Sequence, residues 1–325
     1  MSSCDINSCD NSSEDGMIFS DDISSILSAT AIVCSIAGIV LNLLLIVPLV
    51  SCKRIRVIVT TPLIVAVSMG DFLWSLTVLP VIARRFHTRS WDDVGPCNFF
   101  PVFTHVILGA SVLCLMFTII NRTCVLFFGE KVINMFTVRT SIIIIFLAWL
   151  LPLLLLSPSL AGSWGKVGLD NLTQDCIIME DDNCRSPLEF YDDIIFIIPL
   201  SVMFLCICLD IGKLCMNWKE EGTSDKETTL FFLMLILIFL MYVLCFLPEY
   251  LLRWLDPCYE NPFLHAISYV GVWSCVIISP TIILSTQPQY RHAVMGLWMK
   301  VGGCFKKEEV NETRMRINTL ENLET

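Results

Sequence analysis

The tripeptide Asn121-Arg122-Thr123 interrupts an apolar stretch, FTIINRTCVLFF, that covers residues 117–128. The pattern Asn-x-Thr is an acceptor for N-glycosylation, which takes place outside the cell. Arg122 suggests a different chemistry, because an ionisable group at the edge of a membrane-length helix is usually functional. The two interpretations place the tripeptide on opposite sides of a membrane, so the topology of the chain decides between them.

A second ionisable group, Asp71, lies in the middle of the apolar stretch AVSMGDFLW. A carboxylate in that position is costly unless it is paired or hydrated. Ser111, midway along another apolar stretch, is a suitable neighbour for it. The alternative is that Asp71 is protonated or hydrogen-bonded to water.

The composition is that of an integral membrane protein. Of the 325 residues, 55% are hydrophobic and only 16% are charged, whereas soluble proteins carry about 25% charged residues. The acidic balance and the membrane location exclude nucleic-acid binding. The spans contain no metal-ligand cluster or nucleophile–base pair, so we do not expect an enzyme. The charged path or repeated halves of a transporter are also missing.

Seven apolar stretches are long enough to cross a bilayer, which takes about 20 helical residues. The sequence therefore predicts an all-α membrane protein, with a bundle over residues 26–287 that follows an acidic extracellular tail, residues 1–25. Charged residues among the first 22 are all acidic, which excludes an ordinary signal peptide and is typical of disorder. The predicted spans lie near 26–50, 58–83, 97–128, 138–161, 190–215, 228–254 and 263–286.

The distribution of Lys and Arg predicts the orientation. With an extracellular N-terminus, 15 of the 21 basic residues fall inside, including the cluster Lys53-Arg54-x-Arg56 after the first span. Because positive charge marks the cytoplasmic side, we expect an extracellular N-terminus and a cytoplasmic C-terminus. Asn11 and Asn171 are then glycosylation sites, whereas Asn121 and Asn311 lie inside and cannot be modified.

The third span places a cysteine and an arginine at its two ends. From Cys97 to Arg122, at about 1.5 Å per residue, a helix extends about 37 Å. Cys176 lies in the loop between spans four and five, and two extracellular cysteines favour a disulfide. The other outer cysteines can pair in three ways, which the sequence leaves open: Cys4, Cys9, Cys184 and Cys258.

An amphipathic segment follows the seventh span, and we expect it to form a short helix in the inner interface over residues 288–303. A cytoplasmic tail, residues 304–325, comes after it. Cys304 is a candidate for palmitoylation, and an unmodified cysteine is the alternative. The apolar face of the helix would comprise Tyr290, Val294, Leu297, Trp298 and Val301.

Landmark residues occur one per span in a fixed order, and with them the chain resembles the rhodopsin-like (class A) G-protein-coupled receptors. The tripeptide Asn121-Arg122-Thr123 and the loop SLAGSWGKVGLDNLTQDCII further resemble the insect moody and trapped-in-endoderm group, which is near the melatonin receptors. The landmarks are Asn42, Asp71, Trp91, Cys97, Arg122, Trp149, Pro199, Pro248, Pro280 and Tyr290-Arg291.

The resemblance implies a receptor that passes an extracellular signal to a heterotrimeric G protein, with arrestin as a further partner. Arg122 would be the inner switch, restrained by Asn121 or Glu227. Kinks at prolines would act as hinges; the hinge residues are Pro199, Phe246, Pro248 and Pro280. An allosteric sodium ion would bind a polar core of Asp71, Ser111, Asn42 and Ser279, although Ser279 and Phe246 depart from the family pattern.

The outer half of the bundle would hold the ligand. Thr104 stands where amine receptors carry an Asp, so a monoamine is disfavoured. Arg253 would either pair with Glu249 one turn away or capture an anionic ligand group. His105 is expected to be a satisfied bundle histidine. The predicted lining residues are Thr104, His105, Glu189, Glu249, Arg253, Tyr269 and Trp273.

Arg122 lacks its customary partners. The resemblance implies tyrosines on spans five and seven, but Ile207 and Ile283 occupy those positions, and Asn121 replaces the usual acid. These departures leave open an alternative function, a decoy or scavenging receptor that binds without signalling.

Overall fold

A computed structural model describes residues 18–52, 58–91, 97–129, 136–170, 175–181, 186–221 and 226–301, with side chains at 217–227 and 297–301 outside the description. Seven of its helices are long and apolar enough to cross a membrane, which confirms the predicted bundle. Many Leu, Ile and Phe side chains on the outer surface are exposed, as expected for a protein surrounded by lipid. The helix Val138–Leu160 is the most peripheral, with only 22% of its apolar segment buried.

The helix bounds lie within a few residues of the predicted spans. Two of the seven helices, α2 and α5, are interrupted by a π-helical turn. The helices are α1 (Asp21–Ser51), α2 (Thr61–Leu73, Trp74–Val78 and Leu79–Thr88), α3 (Phe100–Phe128), α4 (Val138–Leu160), α5 (Pro187–Asp192, Asp193–Ile197 and Ile198–Glu221), α6 (Lys226–Leu255) and α7 (Pro262–Thr286).

The start of α1 corrects the predicted acidic tail. Helix α1 begins at Asp21, so residues 21–25 are helical, and Ser20 caps them by accepting a hydrogen bond from the Ile23 backbone N–H at 3.4 Å. Asp21 and Asp22 lie in the first turn, where acidic side chains interact favourably with the helix dipole. The acidic residues that indicated disorder therefore also favour a helix start.

The predicted interfacial helix follows α7 as α8 (Pro288–Val301). Tyr290 is fully buried, and its hydroxyl lies 3.5 Å from the hydroxyl of Thr61 on α2. Arg291 and His292 are exposed, in agreement with the predicted polar face. Cys304 and the predicted tail lie outside the described residues.

The proline hinges combine with local changes of helix type. Pro248 and Pro280 lie inside α6 and α7, as predicted. Pro199 lies two residues after the π-helical turn Asp193–Ile197 in α5, and Pro80 lies two residues after a second π-helical turn, Trp74–Val78, in α2. A π-helical turn inserts one residue into a helix and so changes the direction in which later side chains point.

The predicted disulfide is present. Cys97, just before α3, is bonded to Cys176, with the two Cα atoms 5.3 Å apart. Cys176 belongs to an antiparallel hairpin of β1 (Lys166–Leu169) and β2 (Cys176–Met179), in which it pairs with Leu169. The hairpin is therefore held across the outer end of α3. Cys258 is also disulfide-bonded, and Cys4, Cys9 and Cys184 lie outside the described residues.

Two glycines let neighbouring helices approach α3. A Cβ atom on Gly70 of α2 would lie 2.1 Å from the Ser111 hydroxyl oxygen. A Cβ atom on Gly109 of α3 would lie 2.3 Å from the Tyr191 hydroxyl oxygen and 2.7 Å from Ile195. Close approach at small residues is a major source of stability between membrane helices.

We expect Gly109→Ala to destabilise the bundle by about 1–3 kcal/mol, because the added methyl group must displace the buried α5 side chains. Gly212→Ala is the matched control, since the space around Gly212 is open and alanine favours a helix over glycine by about 1 kcal/mol. Thermal unfolding of both purified variants measures the difference. Equal midpoints for the two variants would contradict the proposed packing.

Candidate functional site

The predicted polar core forms between α1, α2, α3 and α7. The Asn42 amide donates hydrogen bonds to the backbone oxygens of Gly38 and Val276, both at 2.9 Å, and so connects α1 to α7. Asp71 and Ser111 line one small cavity, and Ser279 lies beside Asp71. The sequence therefore identified four polar residues that do lie in the centre of the bundle.

Several oxygen atoms in this core have no hydrogen-bond partner within the protein. They are Asn42 Oδ1, Asp71 Oδ2 and Ser279 Oγ. The cavity beside Asp71 has a volume of about 10 Å³, which is near the minimum for one water molecule or a small ion. Carboxylate and hydroxyl oxygens suit a hard cation, so the residues present fit a sodium ion in part.

At the inner end, Arg122 is held by residues that sequence reasoning missed. Its Nη2 donates a hydrogen bond of 3.2 Å to the hydroxyl of Thr60, just before α2. Its guanidinium carbon lies 3.8 Å from the centre of the Phe231 ring on α6, a cation–π contact. Phe231 lies one helical turn beyond the predicted Glu227 on α6. The Glu227 side chain lies outside the described residues.

A second contact at the inner end joins α3 to α5. The Thr123 hydroxyl donates a hydrogen bond of 2.9 Å to Asp210 Oδ2, and Asp210 is only 1% exposed. Asp210 was absent from the predicted site, although it is an isolated acid in the apolar stretch CICLDIG. Asn121 is also buried, as are Ile207 and Ile283.

At the outer end, the nearer partner of Arg253 is a residue that was not predicted. Arg253 Nη1 donates to Asp192 Oδ2 at 3.1 Å, and its Nε lies 4.0 Å from Glu249 Oε1. Glu249 also accepts a hydrogen bond of 2.5 Å from the Ser268 hydroxyl. The expected pairing of Arg253 with Glu249 is thus present but secondary. Because two carboxylates already surround Arg253, capture of an anionic ligand is disfavoured.

The other charged and polar candidates differ in their surroundings. His105 Nδ1 lies 2.7 Å from the Pro101 backbone oxygen and its ring packs edge-on against Tyr191, so it is satisfied within the bundle as expected. Glu189 is exposed in the first turn of α5, and Asp192 takes the buried position instead. The Thr104 hydroxyl is buried and has no hydrogen-bond partner.

The outer pocket contains part of the chain's own N-terminal segment. Phe19 is only 5% exposed and packs against Phe86, Tyr259 and Tyr269, with ring centres 5.8–6.4 Å apart. Tyr269 in turn stacks on Trp273, 6.1 Å away. A ligand that reaches the predicted residues Tyr269 and Trp273 must therefore contact or displace Phe19.

Arg89 holds this segment in place. Its Nη2 donates a hydrogen bond of 2.9 Å to the Phe19 backbone oxygen, and it also forms an ion pair with Asp21. Burial raises the pKa of the nearby Tyr259, so its phenol remains protonated and hydrogen-bonds to Tyr269 at 3.0 Å. The N-terminal segment is part of the pocket wall and was missed because it was assigned to the tail.

Known proteins match the chain over most of its length. Residues 41–281 match the family described as "7 transmembrane receptor (rhodopsin family)". Protein trapped in endoderm-1 of Drosophila melanogaster is 26% identical over 286 residues, covering 79% of this chain and 73% of that protein. The G-protein coupled receptor moody of the same species is 23% identical over 344 residues, covering 85% of this chain and 51% of moody. The chain thus spans about half the length of moody.

A solved structure matches the fold as well. The crystal structure of squid rhodopsin superposes with a TM-score of 0.74, covering 91% of this chain and 91% of that chain, at 18% sequence identity. At this identity the likeness extends to the fold alone. It agrees with the seven-helix arrangement described above.

We expect Arg253→Ala to destabilise the protein, because it leaves the Asp192 carboxylate buried without its cation. The loss should be about 1–3 kcal/mol, below that of a fully buried pair, since the Arg253 side chain is 39% exposed. In an Asp192→Asn background the same substitution should cause a much smaller loss. Thermal unfolding midpoints of the four proteins in this cycle test the pairing, and equal losses in both backgrounds would refute it.

Proposed function

The chain belongs to the rhodopsin family of seven-transmembrane receptors, and we propose that it acts in the plasma membrane as a G-protein-coupled receptor of the moody and trapped-in-endoderm group. The match over residues 41–281 and the relatives of that name support this function. An extracellular ligand would shift an existing equilibrium between a closed and an open bundle. The open bundle would admit the C-terminal helix of a G-protein α subunit.

The observation that carries this function is the position of Arg122. Its guanidinium lies between the Thr60 hydroxyl and the ring of Phe231 at the inner end of α6. Outward movement of α6 would remove Phe231 and expose the arginine at the top of a cytoplasmic cleft. A cation–π contact contributes about 0.5–2 kcal/mol, so it biases the equilibrium without preventing opening.

The movement of α6 would pivot about its proline. Pro248 leaves one backbone carbonyl of α6 without its usual helical partner. Phe246, two residues before it, stacks on Tyr242 with ring centres 5.3 Å apart and on Phe196 of α5 at 6.0 Å. A ligand that shifts these rings would therefore act directly on the hinge. Pro280 in α7 and Pro199 in α5 would serve as secondary hinges.

The orientation in the membrane follows the charge bias of the sequence, with the N-terminus extracellular and the C-terminus cytoplasmic. The disulfide-bonded hairpin and the Phe19 segment lie at one end of the bundle, opposite Arg122, which is consistent with this orientation. Asn11 and Asn171 are the proposed glycosylation sites and Cys304 the proposed palmitoylation site. All three lie outside the described residues. Arrestin would use the same cytoplasmic cleft.

A sodium ion would bind beside Asp71. The Asp71 carboxylate would hold it, with hydroxyl oxygens from Ser111 and Ser279, and the unpartnered oxygens of Asp71 and Ser279 support this assignment. The ion would supply one positive charge against the buried carboxylate. Asn42 would act indirectly, by holding α1 against α7.

The decoy alternative has less support. It rested on the replacement of the tyrosine partners by Ile207 and Ile283. Arg122 is nevertheless engaged by Thr60 and Phe231, so a restrained arginine at the inner end is retained. The relatives also include a protein named as a G-protein coupled receptor.

A nucleotide-exchange assay tests this function. Purified receptor in lipid nanodiscs, without ligand, is mixed with each class of G protein, and the rate of guanine-nucleotide exchange is measured. Phe231→Leu removes the aromatic ring but keeps an apolar side chain. We expect it to raise basal exchange about threefold to tenfold. This change corresponds to the loss of about 0.7–1.4 kcal/mol that the cation–π contact contributes to the restraint.

Phe239→Leu is the matched control, because Phe239 is a buried phenylalanine two turns further along α6, where its ring contacts Phe204. It should leave basal exchange near the wild-type rate. Arg122→Ala should abolish exchange in both backgrounds. Unchanged exchange in Phe231→Leu, together with full coupling by Arg122→Ala, would reject the proposed switch.

A further inference from the structure

We propose that Asp210 is the residue that Arg122 engages when the bundle opens, and that this ion pair between α3 and α5 stabilises the signalling state. The proposal rests on the proposed receptor function and adds a residue that the predicted site did not contain. The observation that carries it is the buried Asp210 carboxylate. One of its oxygens accepts a hydrogen bond from the residue next to Arg122, and the other oxygen is free.

Asp210 is incompletely satisfied in the closed bundle. It is 1% exposed, and Thr123 donates to its Oδ2 at 2.9 Å. The other oxygen, Oδ1, is buried and has no hydrogen-bond partner. A buried carboxylate with an unpartnered oxygen is unfavourable, and such groups in membrane helices commonly pair with a cation. This structure therefore contains an acceptor site that another conformation can fill.

Arg122 is the cation best placed to fill it. Thr123, the hydrogen-bond donor to Asp210, directly follows Arg122 on α3. In the closed bundle the guanidinium is directed instead towards Thr60 and Phe231. Once α6 moves and removes Phe231, the guanidinium loses its aromatic contact and can turn towards α5. A charge-assisted hydrogen bond to Asp210 Oδ1 would then give the Arg122 guanidinium and the Asp210 carboxylate each a partner of opposite charge.

Lys213 is the competing cation and must be considered. It lies three residues beyond Asp210 on α5, a spacing at which side chains share a helix face. Among the described residues, no ion pair joins the Lys213 ammonium to the Asp210 carboxylate within 4.0 Å. Lys213 is also half-buried near the end of the membrane span, where a lysine ammonium can extend to the interface. We therefore infer that Arg122, and not Lys213, pairs with the free oxygen of Asp210.

The closing experiment uses the full-length receptor in nanodiscs and measures basal nucleotide exchange in the Phe231→Leu background. Asp210→Asn removes the charge but keeps an oxygen that accepts the Thr123 hydrogen bond. We expect it to lower exchange about tenfold, as for the loss of one charge-assisted hydrogen bond. Lys213→Met is the control, and it should retain at least half of the exchange of the Phe231→Leu parent.

Thermal unfolding separates a switch role from a structural one. Asp210→Asn should leave the unfolding midpoint of the closed receptor unchanged or raise it, because it removes an uncompensated buried charge. A purely structural role predicts that stability and exchange fall together, and that result would overturn the proposal. If Lys213→Met lowers exchange as much as Asp210→Asn does, Lys213 is the partner of Asp210, and the proposal is overturned as well.

The two hypotheses fail in different ways. If Phe231→Leu stimulates exchange and the added Asp210→Asn has no effect, the inference about Asp210 is wrong and the receptor function stands. If neither the wild type nor Phe231→Leu produces exchange above empty nanodiscs with any G protein, the receptor function fails, and the inference fails with it.

Discussion

The hydrocarbon core of a bilayer offers no hydrogen-bond partners, so every polar group at membrane depth must find its partner inside the protein. This constraint explains why the chain forms long helices, and it also determines where polar side chains can lie. Asn42, Asp71 and Ser279 are all buried in the centre of the bundle. The hydrophobic residues that face outward are not a defect of packing, because lipid replaces water there.

The same constraint shapes the charged groups at the two ends of the bundle. Arg253 at the outer end is balanced by Asp192, and Arg122 at the inner end by a hydroxyl and an aromatic ring. In both cases the partner comes from a different helix, so each contact depends on how two helices are placed. A contact of this kind restrains helix movement, and its loss is a natural step in a conformational switch.

The sequence predicts the features that depend on composition and on periodicity within one helix. These include the seven spans and the interfacial helix. The disulfide between Cys97 and Cys176 was instead predicted from their extracellular location, and the set of polar core residues from the resemblance to the receptor family. Features that depend on the rotation of one helix against another were not predictable. Phe231 is one of many phenylalanines in apolar stretches, and nothing in the sequence distinguishes it.

Isolated acids were a stronger signal that was not used. Asp192 and Asp210 each lie within or beside an apolar span, where an unpaired carboxylate is unfavourable, and both take part in contacts between helices. The prolines near the two π-helical turns were a weaker sequence signal for those turns. The role of Phe19 could not be predicted, because acidic residues around it indicated a disordered tail and the side chain packs against residues distant in sequence.

Ile207 and Ile283 replace the customary tyrosine partners of Arg122, which instead contacts a hydroxyl and an aromatic ring from other positions. Ile207 and Ile283 add apolar packing, since both are buried. The hydroxyl that contacts Arg122 is that of Thr60, and Tyr290 of α8 lies against the neighbouring Thr61. The aromatic ring that contacts Arg122 belongs to Phe231 of α6, so this restraint depends on how α6 packs against α3.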